Sequence, residues 1–117
     1  MKLTGLIAAP HTPFRHDYPL NLEAVADQAA HLARTGVTGV FVGGTTGECH
    51  SLSTSERIDL FEAWSEAGKA HELVNVAHVG HNNLPDCRAL VEAAQASGAD
   101  AIGAMAPTFF KPTSVDE

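Results

Sequence analysis

The residues best suited to chemistry in this 117-residue sequence lie at positions 43–52, in the stretch GGTTGECHSL. Its three glycines leave backbone N–H groups unobstructed, and the hydroxyls of Thr45 and Thr46 add two donors, a set that can bind a small anion such as a carboxylate. The common nucleotide cradles are excluded, because a phosphate loop requires GxxxxGK(S/T) and a dinucleotide fingerprint requires GxGxxG. The alternative is a glycine-rich turn whose threonines satisfy only local backbone groups.

Predicted strands and helices alternate along the sequence and determine where residues 43–52 lie. Apolar runs predict strands at residues 2–9, 37–42, 73–79 and 101–106, and the run at 37–42 is continuous, as is typical of a parallel strand covered on both faces. A first helix is expected from Asn21 to Gly36, a second from the capping box of Ser53 and Glu56, and a third from Asn83. The glycine- and threonine-rich stretch therefore follows the carboxyl end of a strand.

The order β-α-β-α-β-α-β, in units of about 30 residues, predicts an α/β fold with parallel strands joined by right-handed crossovers. Two architectures accept it, an open doubly wound sheet and the first half of a (β/α)8 barrel, and both place active sites at the carboxyl ends of the strands. We expect one partial domain over residues 1–117. Ser114 begins what resembles a further helix start, so we interpret the sequence as truncated.

Composition favours a small-molecule partner. Fourteen acidic residues against seven Lys and Arg give a net charge of −7, which would repel nucleic acid and anionic membranes. The sequence has no signal segment and no membrane span, so we expect a cytoplasmic protein. Cys49 and Cys87 have no disulfide or metal-finger spacing, and Cys87 is expected to be a small core residue.

A metal site is a rival interpretation. Four histidines fall at or beyond predicted strand ends, namely His11, His50, His78 and His81. With a carboxylate such as Glu48 or Asp86, His78 and His81 could form the zinc-type site of a barrel hydrolase. However, a strand followed by a loop does not place residues i and i+3 on one face. Histidines with local hydrogen bonds, and no metal, are the simpler interpretation.

The segment GGTTGE followed by LSTSER, with GLIAAPHTPF near the start and GADAIGAMAP later, resembles the N-acetylneuraminate lyase and dihydrodipicolinate synthase superfamily. The similarity spans essentially the whole chain in the right order. It implies the half-barrel over the open sheet, and a lyase or aldolase that handles pyruvate as an imine on a lysine, without a cofactor. It also implies a homotetramer.

The family motif Gly-(Ser/Thr)-Thr-Gly-Glu falls on Gly44, Thr45, Thr46, Gly47 and Glu48. The resemblance implies that the first four bind the pyruvate carboxylate through hydroxyls and backbone N–H groups, and that Thr45 also belongs to a proton relay. Neutral donors would orient the carboxylate without placing a competing positive charge near the catalytic amine.

The imine-forming lysine and the catalytic tyrosine of the family lie on later strands. Lys2 and Lys69 are expected to be solvated surface charges, and Lys111 lies beyond the fourth strand without matching the imine former. Tyr18 lies in a polar loop. We therefore assign no catalytic residue to this chain apart from the relay candidate Thr45, and expect these 117 residues to be inactive alone.

The segment PTFFKP at residues 107–112 favours one branch of the superfamily. Synthases typically carry a tyrosine pair where Thr108 and Phe109 stand, and a phenyl ring cannot transfer a proton. The segment instead resembles sialic-acid lyases, which implies cleavage of N-acetylneuraminate to N-acetylmannosamine and pyruvate. Three alternatives stay open: condensation of pyruvate with an aldehyde, as in the synthases, a non-catalytic half-barrel for binding or assembly, and the metal-dependent hydrolase. Phe109 and Phe110 could also be simple core or interface aromatics.

Overall fold

The computed structural model describes residues 2–117, and its strands form a single parallel sheet. The strands are β1 (Leu6–Ala8), β2 (Val37–Val42), β3 (Val74–His78) and β4 (Ala101–Gly103). The helices are α1 (Ala24–Arg34), α2 (Thr54–Ala70) and α3 (Leu84–Ser97), with a short 3-10 turn at Cys49–Ser51 before α2. The elements follow one another in the predicted β-α order.

The order of the strands decides between the two architectures. Each strand pairs in parallel with the next one along the chain, giving the order β1-β2-β3-β4. A doubly wound sheet would reverse its strand order at a switch point, and this sheet does not. Helix α2 contacts both α1 and α3, so the three helices form one layer outside the sheet. The fold is an α/β half-barrel, as the family resemblance implied, and not the open sheet that the sequence pattern also allowed.

Local signals place most helix ends correctly. The Ser53 hydroxyl accepts the Glu56 N–H at 3.2 Å, and the Glu56 carboxylate accepts the Ser53 N–H at 2.8 Å, which completes the predicted capping box of α2. Asn83 caps α3 by accepting the Asp86 N–H at 3.2 Å. Gly98 ends that helix in the left-handed region, at φ +81°.

The predicted start of α1 is wrong. The helix begins at Ala24, after Glu23, whose side chain makes no capping hydrogen bond. Asn21 instead belongs to the turn before the helix, where its carbonyl accepts the Ala24 N–H at 3.1 Å. The edge strands are also shorter than predicted. Gly5 has φ +83°, which interrupts the extended run before β1, and β4 ends at Gly103.

The hydrophobic core lies between the sheet and the helices. Its largest fully buried apolar side chains are Val25 of α1, Val40 and Val42 of β2, Leu60, Phe61 and Trp64 of α2, Val79 after β3, and Leu90 of α3. Cys87, predicted to be a core residue, is only partly buried. The two edges of the sheet remain open, and Leu6 on β1 and Ile102 on β4 are 68% and 53% exposed.

Candidate functional site

The predicted anion-binding residues form one loop between β2 and the 3-10 turn, here called the glycine–threonine loop (residues 43–48). It follows the carboxyl end of β2, which pairs with β1 on one side and β3 on the other. The backbone takes the left-handed region at both of its ends, with φ +66° at Gly43 and +60° at Glu48. Glycine adopts this region without steric cost, whereas for glutamate it is uncommon, so the loop is tightly determined by its surroundings.

Close packing explains the two glycines inside the loop. A Cβ on Gly47 would lie 3.2 Å from the Cα of Gly43 and 3.3 Å from the carbonyl oxygen of Pro10, both backbone atoms. A Cβ on Gly44 would lie only 2.7 Å from the ring of Phe41. The buried Thr12, from the segment after β1, donates its hydroxyl to the Gly47 carbonyl at 2.6 Å. The loop is therefore closely packed against β2 and the segment after β1.

The loop leaves a run of backbone donors free. Its internal hydrogen bonds run from Glu48 N–H to the Thr45 carbonyl at 2.9 Å and from Cys49 N–H to the Gly44 carbonyl at 3.2 Å. Within residues 2–117, the N–H groups of residues 44–47 donate to no acceptor. Successive free N–H groups in a turn can form a concave, electropositive surface that suits an anion.

Both threonine side chains are exposed at this edge of the sheet. The Thr45 hydroxyl lies 3.9 Å from the sulfur of Met105, which follows β4, so it points across the strand ends. The Thr46 hydroxyl makes no hydrogen bond to any residue in the described part of the chain. The predicted residues Gly44, Thr45, Thr46 and Gly47 thus lie together in one loop that has unbonded N–H groups and two exposed hydroxyls, and their binding of an anion stays a prediction.

Sequence reasoning missed a buried polar cluster beneath the loop. His78, at the end of β3, places Nδ1 2.9 Å from the carbonyl oxygen of Gly43, and its Nε2 accepts the Met105 N–H at 3.3 Å. Arg57, in the first turn of α2, donates to the carbonyls of His78 and Gly80, the latter at 3.0 Å. Both side chains are almost fully buried, His78 at 2% and Arg57 at 1% exposure.

Electrostatics keep the His78 imidazole neutral. Burial lowers the pKa of His78 below its ordinary value, and the nearby Arg57 guanidinium lowers it further. Burial also lowers the pKa of Arg57 from its ordinary value. The position of His78 at the end of an apolar strand was visible in the sequence, where it suggested a metal ligand. The convergence of Arg57 on it depends on the packing of α2 and had no sequence signal.

The other histidines do not converge. His11, His50 and His81 are exposed, and His81 accepts the Asn83 N–H at 2.9 Å. Across residues 2–117, no three His, Cys, Asp or Glu side chains come together in a way that could hold a metal ion. His78, the buried member of the predicted pair, already uses both ring nitrogens on Gly43 and Met105.

The lysines and the tyrosine lie at the surface. Lys2 and Lys69 are exposed, as predicted for solvated charges, and Lys111, beyond β4, is also exposed. Tyr18 is 86% exposed, at the tip of a loop closed by a bridge between Phe14 and Leu20.

The aromatic pair after β4 is also exposed. Phe109 and Phe110 are 89% and 82% exposed, and their rings meet edge to face at 4.7 Å between centroids. They are therefore not core residues of this chain. Among the described residues no helix is both long and apolar enough to cross a lipid bilayer, and the predicted cytoplasmic location stays a prediction.

Comparison with known proteins identifies relatives across the chain. Residues 2–116 match the dihydrodipicolinate synthetase family. The sequence is 42% identical to the N-acetylneuraminate lyase of Gallus gallus over 117 residues, covering 99% of this chain and 38% of that protein. Among solved structures, Proteus mirabilis N-acetylneuraminate lyase superposes with a TM-score of 0.93 at 42% identity, covering 99% of this chain and 39% of that one.

A synthase is a more distant neighbour. Dihydrodipicolinate synthase from Aquifex aeolicus superposes with a TM-score of 0.87 at 27% identity, covering 95% of this chain and 37% of that one. The chain thus spans less than two fifths of the length of each of these relatives. The two solved structures both superpose closely on this chain and differ in their sequence identity to it.

Proposed function

The chain belongs to the dihydrodipicolinate synthetase family, and on that premise we propose that it carries the carboxylate-binding loop of a lyase that handles pyruvate as an imine. The proposed reaction is reversible cleavage of N-acetylneuraminate to N-acetylmannosamine and pyruvate. The 42% identity to the Gallus gallus and Proteus mirabilis lyases, against 27% for the Aquifex aeolicus synthase, supports this branch.

The observation that carries the proposal is the run of free donors in the glycine–threonine loop. Within residues 2–117, four N–H groups and the hydroxyls of Thr45 and Thr46 donate to no acceptor stronger than the Met105 thioether. An ionised carboxylate offers about four lone-pair sites on two oxygens, which matches such a surface. Because all of these donors are neutral, they can hold the carboxylate and orient the keto carbon without placing a positive charge near the attacking amine.

The chemistry of the proposed reaction divides between this loop and groups outside it. A lysine amine would attack the keto carbon of the substrate and expel water, and the resulting imine would accept the electron pair as the carbon–carbon bond breaks. None of Lys2, Lys69 and Lys111 lies in the loop, so we propose that sequence outside these 117 residues supplies the lysine and the tyrosine. Thr45 is proposed as the first member of the proton relay.

Trapping of the imine tests the proposal. The longest product of the reading frame that contains this sequence is incubated with pyruvate and borohydride, and its mass is measured. We expect a stable adduct on one lysine, formed more slowly by Thr46→Val. The matched control is Thr35→Val, because Thr35 lies at the end of α1 and its hydroxyl bonds only the Leu32 carbonyl. No adduct from the unaltered protein would contradict the proposal and favour the non-catalytic half-barrel.

The choice of aldehyde separates the lyase from the synthase alternative. Thr108 and Phe109 offer no phenol at the segment after β4, which supports the lyase. With pyruvate present, consumption of N-acetylmannosamine should exceed that of a small aldehyde, and the reverse preference would assign the synthase-type condensation. We also propose a homotetramer, for which the exposed Phe109 and Phe110 offer apolar contact area, and native mass measurement tests it.

A further inference from the structure

We propose that His78 and Arg57 are positioning residues for the glycine–threonine loop, with the His78 imidazole joining Gly43 to Met105 and Arg57 holding that imidazole in place. The role assigned to the loop rests on the proposed function, whereas the hydrogen-bonded arrangement itself does not. Neither side chain reaches the free N–H groups directly, so both would act through the backbone.

Two of the three hydrogen-bond contacts of His78 agree on one arrangement of its proton. The Gly43 carbonyl can only accept, so its hydrogen bond requires the proton on Nδ1, and the Met105 N–H can only donate, so its hydrogen bond requires an unprotonated Nε2. The third contact, from an Arg57 nitrogen 3.2 Å from Nδ1, would favour the opposite tautomer, and we propose that the shorter contact to Gly43, at 2.9 Å, decides between them. The imidazole thereby links the carboxyl end of β3 to the loop after β2 and to the segment after β4. A protonated ring would present a second N–H to the Met105 N–H and lose that link.

The bond to Gly43 has a direct consequence for the anion-binding surface. In a trans peptide unit the C=O and the following N–H point in opposite directions. By holding the Gly43 carbonyl, His78 therefore fixes the plane that carries the Gly44 N–H, the first of the four free donors, and directs that N–H away from His78. At the far end of the loop, Thr12 holds the Gly47 carbonyl in the same manner.

Arg57 contacts the imidazole and nearby carbonyls and forms no ion pair within the described residues. Within the described residues its guanidinium meets no carboxylate, its Nε has no partner, and its hydrogen bonds go to the carbonyls of His78 and Gly80. A buried guanidinium with no counter-ion is costly, which makes a purely stabilising role a poor explanation. One of its nitrogens lies 3.2 Å from Nδ1 of His78, where a positive charge opposes formation of the imidazolium.

Gly80 shows how closely this arrangement is packed. A Cβ on Gly80 would lie 2.8 Å from Nε2 of His78 and 2.8 Å from the nitrogen of Met105, the two atoms of one hydrogen bond. Gly80→Ala is therefore a way to break the link between His78 and Met105 while leaving both side chains in place.

The test uses steady-state kinetics of the full gene product in the condensation direction. We expect His78→Phe, which keeps a ring but loses both bonds, to raise the KM for pyruvate about tenfold, equivalent to about 1.4 kcal/mol. The KM for the aldehyde should change less than about twofold, because the proposed function assigns only the pyruvate carboxylate to this loop. His78→Asn, which retains an N–H for the Gly43 carbonyl, should recover most of the pyruvate affinity, and Gly80→Ala should resemble His78→Phe.

A merely structural role gives a different pattern. Loss of stability would lower the active fraction and the apparent kcat without a selective change in the KM for pyruvate. Equal changes in both KM values, or an unchanged KM for pyruvate in His78→Phe, would overturn the proposal. The matched control is His31→Phe, on the exposed face of α1, which should leave both KM values unchanged.

A measurement on the unaltered protein keeps the proposal testable if the variants do not fold or the protein does not use pyruvate. Proton–nitrogen NMR of the histidine rings at neutral pH should show one ring protonated at Nδ1 only, assigned to His78 by its absence in His78→Asn or by its close approach to Met105. A His78 ring protonated at Nε2, or at both nitrogens, would overturn the proposal. Absence of pyruvate adduct in the trapping experiment, with this tautomer present, would refute only the proposed function.

Discussion

Replacing Gly44 by alanine should strain the glycine–threonine loop through a single aromatic ring. The new methyl carbon would lie 2.7 Å from Cε1 and 2.9 Å from Cδ1 of Phe41, about 0.7 Å short of ordinary contact. The ring has little room to retreat, because Gly103 lies against its other side, where a Cβ would come within 2.5 Å of Cε2. The backbone of Gly44 is not in the left-handed region, so the strain is purely steric.

The expected cost is that of overpacking a close-fitted site, about 1–3 kcal/mol in the free energy of unfolding. Chemical denaturation of the full gene product measures it, in a double-mutant cycle with Phe41→Leu. If the ring is the obstacle, the smaller side chain should recover part of the loss, with a coupling energy of about 0.5–3 kcal/mol.

Gly36→Ala is the matched control, because Gly36 has φ +85° and open space where its Cβ would be. Its cost would be conformational, and its effect should add to that of Phe41→Leu within about 0.5 kcal/mol. Two results would refute the steric reasoning: effects of Gly44→Ala and Phe41→Leu that add as they do for Gly36→Ala, or a Gly44→Ala variant as stable as the unaltered protein. Either result would also weaken the conclusion that the loop has a fixed conformation.

Three further predictions concern stability. Asn75 is 3% exposed, and neither its side-chain oxygen nor its side-chain nitrogen has a partner among residues 2–117. Asn75→Leu should therefore raise the free energy of unfolding by about 1–3 kcal/mol, and a fall would show that a group outside these residues satisfies the amide. Ser53→Ala should lower it by about 1 kcal/mol by removing the cap of α2, measured by denaturation, and an unchanged midpoint would contradict the capping role. The lowered pKa of His78, beside Arg57 and His50, means that the unfolded chain binds a proton first on acidification. Stability should therefore fall as the pH drops below about 6.5 towards the folded-state pKa, by at most about 1.4 kcal/mol per pH unit, and His78→Asn should lack this loss.

The fold could be predicted from the sequence where the signals are local. The capping box at Ser53 and the cap at Asn83 each depend on side chains and N–H groups within one turn, and both are confirmed. The prediction that Asn21 caps α1 was wrong because asparagine also stabilises turns. Only the path of the chain into α1 distinguishes a helix cap from a turn at this position. Strand order could not be derived from periodicity, since an open sheet and a half-barrel share one pattern, and the family resemblance was needed to choose.

The candidate site could be predicted only in part, for the same physical reason. Gly44 and Gly47 belong to a contiguous motif, so their place after a strand was visible in the sequence, although their role in binding pyruvate stays a prediction. Arg57 and His78 are 21 positions apart and meet only because α2 packs over the end of β3. The sequence suggested His78 as a metal ligand, whereas the structure engages both of its nitrogens with backbone groups.

The most direct test of the carboxylate site is a crystal structure of the full gene product soaked with pyruvate and reduced with borohydride. We expect the two carboxylate oxygens to lie within about 3.2 Å of backbone nitrogens among residues 44–47, with at least one of them also within reach of the Thr45 or Thr46 hydroxyl. A pyruvate carboxylate bound by other groups, with the glycine–threonine loop empty, would contradict the assignment of this loop.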